Sequence, residues 1–211
     1  MEKKDLTIDK IKDKLMFVNQ LFLDRQVIDK ILATVWTTYK PSHLVQKWLL
    51  SVVKRWKVYV NTSYPKKPRA ESIMWIYFKW TDYMFWGVNL YNQYGFTTQQ
   101  AQWIEVYNTR TSGKRKIAGH RFIFKRKWKW FFRWRERKDS QGIKYYVMTR
   151  ERALIQLLVD KKGIIEFEQD IFEQLNSWAI DVIMLRQLWD MYLSKKNKVI
   201  LEKFIARWLK N

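Results

Sequence analysis

The sequence predicts an α+β fold: an N-terminal, winged-helix-like helical domain, then an antiparallel sheet flanked by C-terminal helices. Three observations lead there. Before residue 56, apolar residues recur three times at helical spacing. Between residues 104 and 148 the period shortens to two. Two further amphipathic helices then close the chain. Pro65-Lys-Lys-Pro68 is the best internal boundary, dividing a winged-helix-like domain over 1–66 from an α+β domain over 67–211.

In order along the chain, Thr7 caps a helix over 7–23 whose stripe is Ile8, Ile11, Leu15, Val18 and Phe22. A second helix runs from Asp24 to Thr38 with Val27, Ile28, Ile31, Leu32 and Val35 on one face, and Pro41 ends it. Ser42 is a good N-cap for a third helix through Arg55. Residues 56–60 alternate like a strand, and 61–65 form a turn. Three helices followed by a hairpin is the order of a winged helix-turn-helix. Residues 71–80 show no clear period, because aromatic side chains fall on every face. A helix over 83–95 ends at Gly95, a C′ glycine. Ile104–Asn108 reads as a strand. Over 121–135 the even positions are mostly aromatic and the odd ones mostly cationic, giving one strand or two with a break near 127–130. A strand over Lys144–Met148 leads into a helix opened by Thr149 and running to about Asp160, with Gly163 closing the unit. One helix then carries Ile171 through Tyr192 and the last carries Val199 through Leu209.

The 211 residues carry a net charge of +21. Thirteen basic side chains against one acid lie in residues 110–138, so more than half of the excess falls in 29 residues. Such concentration points to an anionic partner. Cations there would neutralise phosphates, and interleaved aromatics could stack on unpaired bases. The plainer reading makes Phe122, Phe124, Trp128 and Trp130 core residues, with the cations on a solvated face. That reading is preferred for the aromatics, and the functional one for the cations.

Cysteine is absent, which excludes disulfides and thiolate metal sites. Met1-Glu-Lys-Lys-Asp5 opens on charge, and no apolar run is long enough to span a bilayer. A cytoplasmic protein without a membrane partner is therefore expected. Only His43 and His120 could serve as imidazole ligands or bases, and no phosphate loop, dinucleotide fingerprint or nucleophile elbow is present. No catalysis, cofactor or metal is expected. The enzyme alternative is a Mg²⁺-dependent nuclease using Glu166, Glu168 or Asp170, where an acid-rich helix start is the commoner meaning.

Residues 83–160 resemble the AbiEi-type antitoxins and transcriptional regulators of bacterial abortive-infection (type IV toxin-antitoxin) systems. Five segments carry the resemblance in order: Trp86–Gln99, with its Tyr94-Gly-Phe-Thr element; Ile104–Asn108; Lys114–Phe124; the pair Phe131-Phe132; and Val147–Leu157. Gln156 stands where the family usually has Asp, and Tyr94 where it usually has His. The resemblance implies a non-enzymatic DNA-binding repressor of its own operon that counteracts a nucleotidyltransferase-like toxin. Ser42, Lys47, Lys54, Arg55 and Lys57 are the expected DNA-reading residues. Arg115, Lys116, Arg121, Lys125, Lys127 and Lys129 are the expected phosphate contacts. A basic module for RNA or an acidic protein remains the alternative use of 110–138. Operator, toxin and oligomeric state are open.

Overall fold

The apolar stripe of the first helix and the alternation of the strands are both realised in the computed structural model. It describes residues 3–54, 57–140, 142–161, 167–192 and 194–210. By spatial proximity the chain divides into two compact units: residues 1–79 with 116–120, and residues 80–115 with 121–211.

The first unit begins with α1 (Lys3–Val18), β1 (Phe22–Asp24), α2 (Arg25–Thr34), α3 (Pro41–Gln46), β2 (Leu50–Lys54) and β3 (Val58–Asn61). The three strands form one antiparallel sheet in the order β1-β3-β2. Ile11, Leu15, Leu23, Ile28, Leu44 and Leu50 interlock beneath it as a buried core. Asn61 is the polar member of this interior. Its Nδ2 donates to the carbonyls of Leu15 (2.8 Å) and Gln20 (3.2 Å), tying β3 to the end of α1. α4 (Ala70–Tyr77) packs against β2, so the contact boundary falls one helix beyond the Pro65–Pro68 boundary drawn from sequence.

Several sequence expectations are corrected here. The helix expected over 7–23 stops at Val18, and Phe22 pairs with Val60 in β1. The helix expected over Ser42–Arg55 is two elements, α3 and β2. Ser42 is not its cap: Lys40 holds that position and Pro41 is the first helical residue, its φ already set for the helix. Residues 71–80, without a clear period, contain α4.

The second unit is built on a six-stranded mixed sheet in the order β6-β7-β5-β4-β9-β8. Its strands are β4 (Tyr83–Trp86), β5 (Ile104–Asn108), β6 (Gly113–Ile117), β7 (His120–Arg126), β8 (Arg135–Ser140) and β9 (Ile143–Met148). The expected antiparallel sheet is mixed, because β4 pairs with β9, and β5 with β7, in parallel. The helix expected over 83–95 is β4, all four residues buried, followed by α5 (Val88–Gln93). Gly95 does stand at φ 75° just past α5. The N–H of Gly95 bonds to the Asn92 carbonyl and that of Phe96 to Tyr91, closing the helix. Thr149 stands at the N-cap position of α6 (Arg150–Asp160), opening the helix as expected, though its side chain makes no capping hydrogen bond. The single helix expected over 171–192 is α7 (Glu168–Asn176) and α8 (Val182–Tyr192), and α9 (Lys195–Trp208) follows. Gly163 lies outside the described residues. Among the described residues no helix is long and apolar enough to cross a membrane.

Candidate nucleic-acid interface

In the first unit α3 is anchored by buried Pro41 and Leu44, which leaves Ser42, His43, Gln46 and Lys47 exposed. The Lys40 N–H donates to His43 Nδ1 at 2.9 Å, fixing that ring at the helix start. The β2–β3 turn is closed by Lys57 N–H on the Lys54 carbonyl (3.0 Å), and Arg25 N–H bonds to the Lys57 carbonyl (2.9 Å). Lys57 is exposed and Lys54 half-buried. The sequence-predicted Ser42 therefore lies in α3 and Lys47 at its C-cap, and Lys54 and Lys57 flank the hairpin turn. Arg55 lies outside the described residues.

In the second unit β7 divides its side chains by face. Phe122 and Phe124 are buried and stacked, while Arg121 and Lys125 are exposed. The break expected near 127–130 is real, but a 3-10 turn (Lys129–Phe132) follows it rather than a second strand. The tryptophans of this break are not core: Trp128 is 75% exposed and Trp130 53%. Arg115 and Lys116 project from β6 beside Lys114, and Lys129 is exposed on the 3-10 turn.

Aromatic rings hold many of these cations. Lys125 Nζ lies 4.3 Å from the Trp86 ring centre, and Lys127 lies 5.1 Å from Tyr107 and 4.9 Å from Phe131. Lys114 and Arg121 both lie over Trp103, and Arg121 also donates to Gln102 Oε1 at 2.9 Å. A cation over a ring face is attracted without being neutralised. Lys127 is half-buried, and burial pushes its ammonium below the ordinary lysine value. The charges of Lys125 and Arg152 push the same way, while Asp160 opposes them. Lys127, Trp130, Phe131, Arg152 and Gln156 line a cavity of about 260 Å³.

The sequence missed Arg152. It looks like a surface residue in the first turn of a helix, yet it is buried, stacks on Phe131 at 3.9 Å and donates to the Phe131 carbonyl. It also missed Glu105, which accepts from the Val88 N–H at 3.1 Å and lies against Gly87. Burial raises the Glu105 carboxyl above its ordinary value, and Asp160 adds to this against the Val88 bond and Lys125. Gln156 donates to Asp160 one turn along α6 at 2.9 Å.

Glu168 accepts from Arg207 Nε at 2.8 Å, Asp170 is exposed and Glu166 lies outside the described residues. Among the described residues no group of three or more metal-binding side chains occurs. His120 Nε2 sits 2.8 Å from the Pro68 carbonyl. No protein-family model matches the chain, and no curated protein is significantly similar to it.

Proposed function

We propose that this chain is a non-enzymatic DNA-binding regulator, an antitoxin of the AbiEi type, whose first unit is a winged helix. The element order α1-β1-α2-α3-β2-β3, with a β1-β3-β2 antiparallel sheet, carries this reading. In a winged helix the second helix of the helix-turn-helix lies in the major groove and the hairpin touches the backbone. That role falls to α3 and its C-cap, with Ser42 and Lys47 at base edges, and to Lys54 and Lys57 at the hairpin; Arg55, expected from sequence to join them, lies outside the described residues. Arg115, Lys116, Arg121, Lys125, Lys127 and Lys129 supply a sequence-independent phosphate term. The resemblance over residues 83–160 supplies the antitoxin role, a cytoplasmic setting and the toxin as functional partner.

The test is a binding titration with the DNA upstream of the chain's own gene, repeated across salt. Affinity is expected to fall linearly on a log–log plot, with a slope of about −0.9 per phosphate neutralised. Absence of binding at low salt sinks the DNA reading. Co-expression with the adjacent gene product tests the antitoxin role separately: growth arrest by that product and rescue by this chain is the expected result.

A further inference from the structure

Among the described residues, six other than glycine adopt a positive φ, and four of them are tryptophans: Trp36 (52°), Trp48 (60°), Trp80 (70°) and Trp178 (59°). In this left-handed region the Cβ of an L-residue crowds the following carbonyl oxygen, so a bulky residue there is an outlier and glycine is the usual occupant.

The positions are specific. Trp36, Trp48 and Trp178 each follow a helix C-cap, at Val35, Lys47 and Ser177. The Trp36 N–H bonds to Ala33 and that of Thr37 to Leu32; the Trp48 N–H bonds to Val45 and that of Leu49 to Leu44. This is the pattern that Gly95 and Phe96 make after α5. Trp178 N–H likewise bonds to Leu175. Trp80 lies two residues past the C-cap of α4.

Burial does not account for tryptophan at these places. The four side chains are 95%, 85%, 94% and 78% exposed, more than any other described tryptophan. The composition is skewed in the matching direction. The chain has thirteen tryptophans and six glycines, where an average chain of this length has about fifteen glycines.

We infer that positions 36, 48, 80 and 178 are glycine sites of this fold, and that the codon read as tryptophan at them specifies glycine in the cell that makes the protein. UGA is assigned to stop, tryptophan or glycine in different genetic codes, so one reassignment changes all four positions together. The inference is independent of the DNA-binding reading, since it rests on backbone geometry.

Three measurements test it. The gene is expected to carry UGA at the four positions, and UGG there overturns the inference. Peptides of the protein isolated from its own cells, read by mass spectrometry, are expected to contain glycine at 36, 48, 80 and 178; tryptophan in them overturns it. In recombinant protein, Trp36→Gly, Trp48→Gly, Trp80→Gly and Trp178→Gly are each expected to raise Tm by about 2–4 °C. Trp189→Gly, in the interior of α8, is expected to lower it. A fall in Tm at the four sites, like that at Trp189, overturns their assignment as glycine sites.

Discussion

The two units display positive charge in different ways. In the first, the cations proposed to meet DNA sit at the C-cap of a six-residue helix and beside a hairpin turn, in a unit whose core is mostly leucine and isoleucine. In the second they stand on strands whose neighbours are aromatic rings, and those rings hold the ammonium groups of Lys125 and Lys127 in place. The first arrangement suits short side chains approaching base edges. The second suits a fixed field that attracts phosphates of any sequence. Under the proposed function, position and information would be divided between the units, as they are between phosphate and base contacts generally.

The largest test of this division is charge reversal. Lys125→Glu, Lys127→Glu and Lys129→Glu together are expected to weaken binding to every DNA sequence by about 100-fold or more at low salt and to flatten the salt dependence. Ser42→Ala with Lys47→Ala is expected to reduce the preference for the cognate site over unrelated DNA by about tenfold, leaving unrelated DNA nearly unaffected. If the two variants behave alike in competition titrations, the units do not divide the work.

Stability offers a second contrast. Gly87 has φ 84°, and a Cβ there would meet the Glu105 carboxylate at 1.7 Å. Gly87→Ala is expected to destabilise by about 1–3 kcal/mol in denaturant unfolding, and more if Glu105 is expelled. In the first unit, Asn61→Leu removes the bonds to Leu15 and Gln20 and leaves two carbonyls without that donor, an expected cost of about 1–3 kcal/mol.

The smallest effect concerns pH. Because the folded state lowers the Lys127 value, it sheds that proton before the unfolded chain does. The Lys127 contribution to stability therefore rises as pH climbs from the folded value toward the ordinary lysine value. Lys127→Met is expected to remove this alkaline rise and to increase Tm slightly at neutral pH, while weakening DNA binding. A melting series across pH with unchanged slope in the variant would refute the buried-charge account. Glu105 has the opposite sign: its raised value makes its contribution fall as pH rises through it, and Glu105→Gln is expected to flatten that fall.

The sequence was most informative where local chemistry and tertiary structure agree. Ile104–Asn108 alternates between polar turns and is β5 to the residue; Thr149 precedes a helical stripe and stands at the N-cap position of α6. Tyr83–Trp86 was misread because four successive buried residues have no alternation, and a short apolar run cannot declare strand or helix. The helices expected over 42–55 and 171–192 ran too long for another reason. Each breaks at a left-handed residue, Trp48 and Trp178, and tryptophan is not a stop signal. A glycine at either place would have announced the end, as Gly95 does for α5. At the candidate site the exposed cations of β7 were legible from alternation. Arg152 and Glu105 were not, because their burial depends on partners distant in sequence.

The parallel pairing of β4 with β9 has a consequence for synthesis. Phe85 meets Val147 across that pair, so one side of β4 has no partner until some sixty further residues have been made. At about 5–20 residues per second the wait is roughly 3–12 s. During it the nascent chain presents the unpaired backbone edge of a strand made of large aromatic and apolar residues, of the kind that templates aggregation. The thirteen cations of residues 110–138 are all made within that interval, the first of them 24 residues after Trp86. Like charges repel, so the same segment opposes close approach of neighbouring nascent chains while the edge of β4 is still open.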